Sequence, residues 1–214
     1  LSQVHNRLQD EKRIVQHERD LLLKINLPKG LTYLRSHKVN VILDADTAHP
    51  QLIVSDDGKQ VRSGNTQTKG LDGNKDRFTD YLAVLGKDGF SSGCFYFEVQ
   101  MKGQTKWYLG VARESANRKG YFSLTAGKGY WIVGRRDKVF WACDSSFFPP
   151  RVDPQRVGVF VDYEKGLVCF YEVESMCHIH SYTDQCFNEK LYPFVCLGDY
   201  SNKNSTPLII CDDY

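Results

Sequence analysis

The sequence predicts a mainly β chain: an antiparallel two-sheet β-sandwich behind an N-terminal α-helix. Three observations carry this. A heptad-spaced apolar stripe is confined to residues 1–25. From Val39 onward the apolar residues alternate in short runs, separated by Gly, Asp, Asn and Pro. Strands and helices do not alternate, so a parallel sheet has no crossover helices to build it.

The first element is the helix. Leu1, Val4, Leu8, Val15, Leu22 and Ile25 fall on the a and d positions of one heptad frame, with Glu11 and Glu18 interrupting the d seam. A lone helix of this kind is marginal in water and must bury its stripe. Dimerisation through these six residues is the expected solution, and the chain reads as part of a longer protein. Pro28 and Gly30 are expected to end the helix near residue 27, leaving 28–38 as a linker or short helix.

The strands follow. In Cys94–Met101, Phe95, Phe97, Val99 and Met101 point one way and Tyr96, Glu98 and Gln100 the other. Lys106–Ala112 alternates again, with Trp107, Leu109 and Val111 on one face. Tyr130–Val133, Val139–Cys143, Val157–Tyr163, Leu167–Val173, Leu191–Leu197 and Pro207–Cys211 read as further strands. Glu164-Lys165-Gly166 places a glycine in a hairpin turn that needs positive φ. Several strands are apolar on both faces, which favours two packed sheets over one.

Composition narrows the function. Of 214 residues, 41% are hydrophobic, enough for a substantial core, and the net charge of +2 offers no field for DNA or an anionic membrane. No apolar run reaches the roughly 18 residues of a membrane span. The seven cysteines lie without C-x-x-C pairing and read as reduced core thiols of a cytoplasmic domain. Gly89-Phe90-Ser91-Ser92-Gly93 matches a nucleophile elbow in letters, but strand alternation follows it instead of a helix. His178 and His180 would share a strand face, yet no third and fourth ligand stands at a telling spacing. No metal, cofactor or catalytic residue is expected. A cluster of Arg113, Arg118, Lys119, Lys128, Arg135, Arg136 and Lys138 lies near Tyr108, Tyr121, Tyr130, Trp131 and Trp141. Arginine beside aromatics suits a protein interface; RNA or a small anion are the other chemistries such a set serves.

Several stretches together resemble a PRY–SPRY domain. They are Val41–Pro50 with Leu52–Gly58, Asp76-Arg77-Phe78, Gly93–Val99, Trp107–Val111, Gly129-Tyr130-Trp131, Val157–Glu164 and Leu191-Tyr192-Pro193. The family's leucine–aspartate–proline appears with Ala45 in place of the proline, and its tryptophan–glutamate–valine appears as Phe97-Glu98-Val99. The resemblance implies a bent, concanavalin-like sandwich over 39–214, with a PRY segment at 39–92 and a SPRY core at 93–214. It implies binding of a target protein through loops, here Tyr108, Gly134, Arg135, Arg136, Gly198, Asp199 and Tyr200; Lys138 of the basic cluster is expected to join them, with Phe147 and Phe148 as a further apolar anchor. Antibody-binding members carry tryptophans at the positions of Gly134 and Arg136, so a flatter and more basic surface is expected here. The helix resembles the end of the coiled coil of a TRIM-family ubiquitin ligase, whose catalytic RING would lie upstream. Butyrophilin-like receptors that sense a small anionic ligand, and RNA-binding SPRY domains, are the alternatives.

Overall fold

The computed structural model describes residues 27–64, 74–136, 139–142, 153–198 and 206–214. The heptad positions Leu1 to Ile25 lie outside the described residues.

The first described element is a helix, α1 (Leu27–Arg35). Pro28, expected to close a helix, instead stands in the first turn of one. There its fixed φ suits the helix and its missing N–H deprives no carbonyl. Twelve strands follow among the described residues. β1 (Leu52–Val54), β2 (Gln60–Ser63) and β3 (Leu82–Leu85) precede β4 (Cys94–Gln100) and β5 (Lys106–Arg113). Then come β6 (Tyr130–Arg136), β7 (Val139–Ala142), β8 (Arg156–Asp162), β9 (Leu167–Glu172), β10 (Cys177–Tyr182), β11 (Leu191–Leu197) and β12 (Leu208–Cys211).

They form two antiparallel sheets, a seven-stranded one in the order β1-β2-β12-β4-β8-β9-β10 and a five-stranded one in the order β3-β11-β5-β6-β7. The expected sandwich is therefore present, and the alternation shows why. Phe95, Phe97 and Val99 of β4 join Val157, Val159 and Val161 of β8 on the inner face of one sheet. Trp107, Leu109 and Val111 of β5 with Trp131 and Val133 of β6 face them from the other. Each such large side chain contributes roughly 1.5–3 kcal/mol when fully removed from water. The β8–β9 turn closes on Gly166 at φ 62°, where an added Cβ would stand 1.8 Å from the Gln185 carbonyl oxygen. Only glycine fits there.

Two outer layers flank the central core. Phe78, Leu85, Leu124, Tyr130, Ile132 and Phe194 pack on the outside of the five-stranded sheet. Leu34 of α1 packs with Tyr96, Phe160, Cys169 and Tyr171 on the outside of the seven-stranded one. The six described cysteines are free thiols, with Cys169, Cys196 and Cys211 buried.

Candidate functional site

The outer face of the five-stranded sheet is covered on one half and open on the other. Across its middle the register sets Lys106 opposite Arg136 and Tyr108 opposite Gly134, while β7 adds Val139 opposite Arg136 and Trp141 opposite Gly134. Strand alternation puts all six on the side away from the core. Trp141 is 43% exposed and Val139 37%, although both are apolar. Gly134 has a specific role in this surface. A Cβ there would stand 2.2 Å from Cδ1 of Tyr108, so the tyrosine ring lies across the glycine toward Trp141.

The aromatic surface continues past Tyr108. Tyr81 donates its hydroxyl to the carbonyl of Phe122 and packs edge-on against Tyr121, with ring centroids 5.5 Å apart. Tyr121 itself is 68% exposed. Burial, the largest cause, raises the Tyr81 hydroxyl above its ordinary value, so it stays a protonated donor. Gly198 joins this end of the sheet through its N–H, which donates to the Lys106 carbonyl at 3.1 Å.

The structure thus brings together Tyr108, Gly134, Arg136 and Gly198 of the expected set. Lys138, Phe147, Phe148, Asp199 and Tyr200 lie outside the described residues. Arg135 is corrected: it pairs in register with Trp107 and Phe140, on the opposite side of β6 from Tyr108. Its guanidinium sits 5.6 Å from the Phe140 ring centroid and is bonded to Asp153. Adjacent strand residues cannot both face one pocket. The basic cluster read along the chain also divides. Arg118 donates to the Asp76 carbonyl at 2.8 Å, and Lys119 reaches the carbonyls of Asn74 and Arg77 at 2.9 and 2.7 Å. Tyr130 and Trp131 are buried. Tyr81 does not figure in the sequence reading, and Trp141 figures there only as one of five aromatics near the basic cluster, not among the loop residues expected to bind. Counting alternation outward from buried Phe140 exposes Trp141 and is the signal that could have found it; Tyr81 carries no comparable signal.

Other candidates resolve differently. Gly89–Gly93 holds an isolated antiparallel bridge, Phe90 to Leu191, and a bend leading into β4, and the Gly93 N–H donates to the Glu164 carboxylate at 2.9 Å. A bulge in β10 sets His178 opposite Tyr171 but His180 opposite Phe170. Tyr171 belongs to the outer layer and Phe170 to the core, so the two imidazoles leave the strand on opposite sides. The shared face expected from simple alternation is lost. Burial, helped by neighbouring His178, pushes the His180 imidazole down to about 4. Burial also lowers His49, whose Nε2 lies 3.0 Å from the Thr79 carbonyl and whose Nδ1 accepts from the Gln51 N–H at 3.1 Å.

Both imidazoles are neutral when folded and free to protonate when unfolded, so the unfolded chain binds more protons in acid. Their stabilising effect is intact above the ordinary imidazole value near 6.5 and fades as pH falls toward the folded values. Urea midpoints are expected to drop between pH 7 and pH 4.5. His180→Gln should reduce that drop by on the order of 2 kcal/mol. Equal pH dependence in both proteins would refute this.

A two-sheet sandwich that presents an open aromatic and basic face defines a binding domain. Family models match as the SPRY-associated domain (PRY) over residues 41–90 and the SPRY domain over 94–210. Erythroid membrane-associated protein of Mus musculus is 41% identical over 86% of this chain and 33% of its own length. Butyrophilin subfamily 1 member A1 of Bos taurus is 36% identical over 94% of this chain and 38% of its own length. E3 ubiquitin-protein ligase TRIM21 of Mus musculus is 38% identical over 90% and 42%. Among solved structures, the TRIM65 PSpry domain superposes with a TM-score of 0.73 at 19% identity, covering 84% of this chain and 93% of that one. The chain belongs to the PRY–SPRY family, whose domain is a protein-interaction module and not a catalytic one. It spans between a third and about two-fifths of the length of these relatives. Among the described residues no helix is long and apolar enough to cross a membrane.

Proposed function

We propose that this chain is the target-recognition part of a TRIM-type E3 ubiquitin ligase acting in the cytoplasm, in innate immunity or protein turnover. It recruits a substrate protein through the outer face of the five-stranded sheet. The observation that supports this most is the exposed Trp141 on the same side of the sheet as Tyr108, across Gly134, because exposed aromatic side chains with a neighbouring arginine are the composition of interface hot spots. The likeness to TRIM21 favours the ligase context. The heptad stripe of residues 1–25 would pair two copies, and linked weak sites gain avidity.

Affinity isolation from cells with the whole chain tests the face. Trp141→Ala should reduce recovery of specific partners by about tenfold or more while leaving the melting temperature within a few degrees. Undiminished recovery would discard the face. Light scattering tests pairing: a dimer is expected at high micromolar concentration, and a strict monomer would end that part of the proposal.

The likeness to butyrophilin, which extends over nearly all of the chain, favours a second reading as the ligand-sensing part of a membrane-anchored receptor. Calorimetry with small anionic metabolites separates the two, since binding heat abolished by Arg136→Glu belongs only to the second. The described cleft beside Trp131 suits an anion poorly, because Arg113 and Glu189 both line it.

A further inference from the structure

Resting on the reading of the outer face as a protein-binding surface, we infer that it takes an extended acidic segment, with a carboxylate two residues from an apolar side chain. The five strands beneath it are LAVL, KWYLGVAR, YWIVGRR, VFWA and LYPFVCL. They contain Lys106, Arg113, Arg135 and Arg136 and no Asp or Glu. The opposing sheet carries both signs in its strands, Glu98, Asp162 and Glu172 with Arg62 and Arg156. The chain as a whole is close to neutral at +2, so this segregation of charge is local to one sheet.

Geometry then fixes the spacing. On the open side, Arg136 stands between Lys106 on β5 and Val139 on β7. It is exposed and has no ion-pair partner among the described residues. Two residues along β6 lies Gly134, flanked by the Tyr108 ring and Trp141. Two strand residues span roughly 6.6 Å, which is also the rise between alternate side chains of an extended ligand. A peptide lying along β6 therefore sets an Asp or Glu over Arg136 and Lys106 while its i+2 side chain rests on the Tyr108–Trp141 surface.

The same observations weigh against nucleic acid. RNA binding draws on cations that track several phosphates. Arg118, Lys119 and Arg135, which lie near this surface in sequence, are held by Asp76, by the carbonyls of Asn74 and Arg77, and by Asp153. Arg136, exposed on this side of the sheet, matches one carboxylate and not a track of phosphates.

Panning a random-peptide display library against the full chain, in parallel with Arg136→Glu and Trp141→Ala, tests the inference. Wild type should enrich peptides with Asp or Glu two residues from an aromatic or aliphatic residue. Arg136→Glu should lose the acidic enrichment by about tenfold and favour Lys or Arg there, as expected when one charge of a complementary pair is reversed. Trp141→Ala should lose the apolar preference instead. Peptides that depend on Trp141 but show no acidic preference would overturn the acidic inference and leave the face intact. Peptides indifferent to Trp141→Ala would overturn the face itself. Displacement of the peptides by single-stranded RNA, with steep salt dependence, would assign the surface to nucleic acid. Both substitutions fall on exposed side chains, and thermal melting checks that each variant remains folded.

Discussion

Glu98→Ala is expected to destabilise the sandwich by about 3 kcal/mol, lowering the melting temperature by roughly 6–12 °C. The Glu98 side chain is 0% exposed on the outer face of β4. It accepts hydrogen bonds from Arg35 Nε at 2.8 Å, from the Tyr96 hydroxyl at 2.9 Å and from Arg156 Nη1 at 3.3 Å. Burial and the nearby Glu98 charge raise Tyr96 far above its usual range, so it serves only as donor. Arg156 also holds Asp213 near the chain end at 3.0 and 3.1 Å. Arg35 and Lys38 both lie over the ring of Tyr214, at 4.7 and 4.3 Å. One carboxylate thus joins α1, β4, β8 and the last residues of the chain. Alanine would leave two guanidinium groups facing each other across a cavity. Both arginines reach water, at 30% and 21% side-chain exposure, which holds the loss toward the low end of what breaking a buried pair costs. Arg35→Ala leaves the Arg156 contact in place, so it should cost only about 1 kcal/mol while sharply reducing hydrogen-exchange protection of residues 30–38. An unchanged unfolding midpoint for Glu98→Ala would refute this account.

The cluster also marks a boundary of what the sequence discloses. Alternation in Cys94–Met101 correctly separated Phe95, Phe97 and Val99 from Tyr96 and Glu98. It could not disclose that a third layer, α1 and the chain end, covers the second set. Period-two patterning reports which side a residue takes, not what lies beyond it. Arg135 shows the converse. Nearness in sequence grouped it with Arg136, and the same alternation separates them to opposite faces. The His178 and His180 expectation failed because a bulge adds a residue and inverts the period, and such insertions leave no mark in residue type. The sandwich was legible because a dozen strands repeat one rule. The site depends on single registers between strands well separated in the chain, such as Tyr108 opposite Gly134, and composition does not encode those.

Gly134→Ala should impair binding as much as Tyr108→Ala, although it adds only a methyl group to an outward-facing position. The sequence suggested that glycine here merely lacks the tryptophan anchor of other members. In the structure the space is filled: the Tyr108 ring crosses β6 at Gly134, with the backbone oxygen of Trp107 already 3.0 Å from where a Cβ would stand. The methyl group can only be accommodated if the ring swings off the strand, away from Trp141. Because the ring is partly buried against the outer layer, some folding stability should be lost as well, on the order of 1 kcal/mol, and binding is compared on protein shown to be folded. Loss of an aromatic hot spot costs 2 kcal/mol or more, which is about thirtyfold in affinity. The measurement is a double-mutant cycle on peptides recovered with the wild-type chain. If Gly134 acts by seating Tyr108, Gly134→Ala combined with Tyr108→Ala should bind no more weakly than Tyr108→Ala alone. Additive losses would mean that Gly134 touches the partner directly, and that the aromatic surface is assembled in some other way.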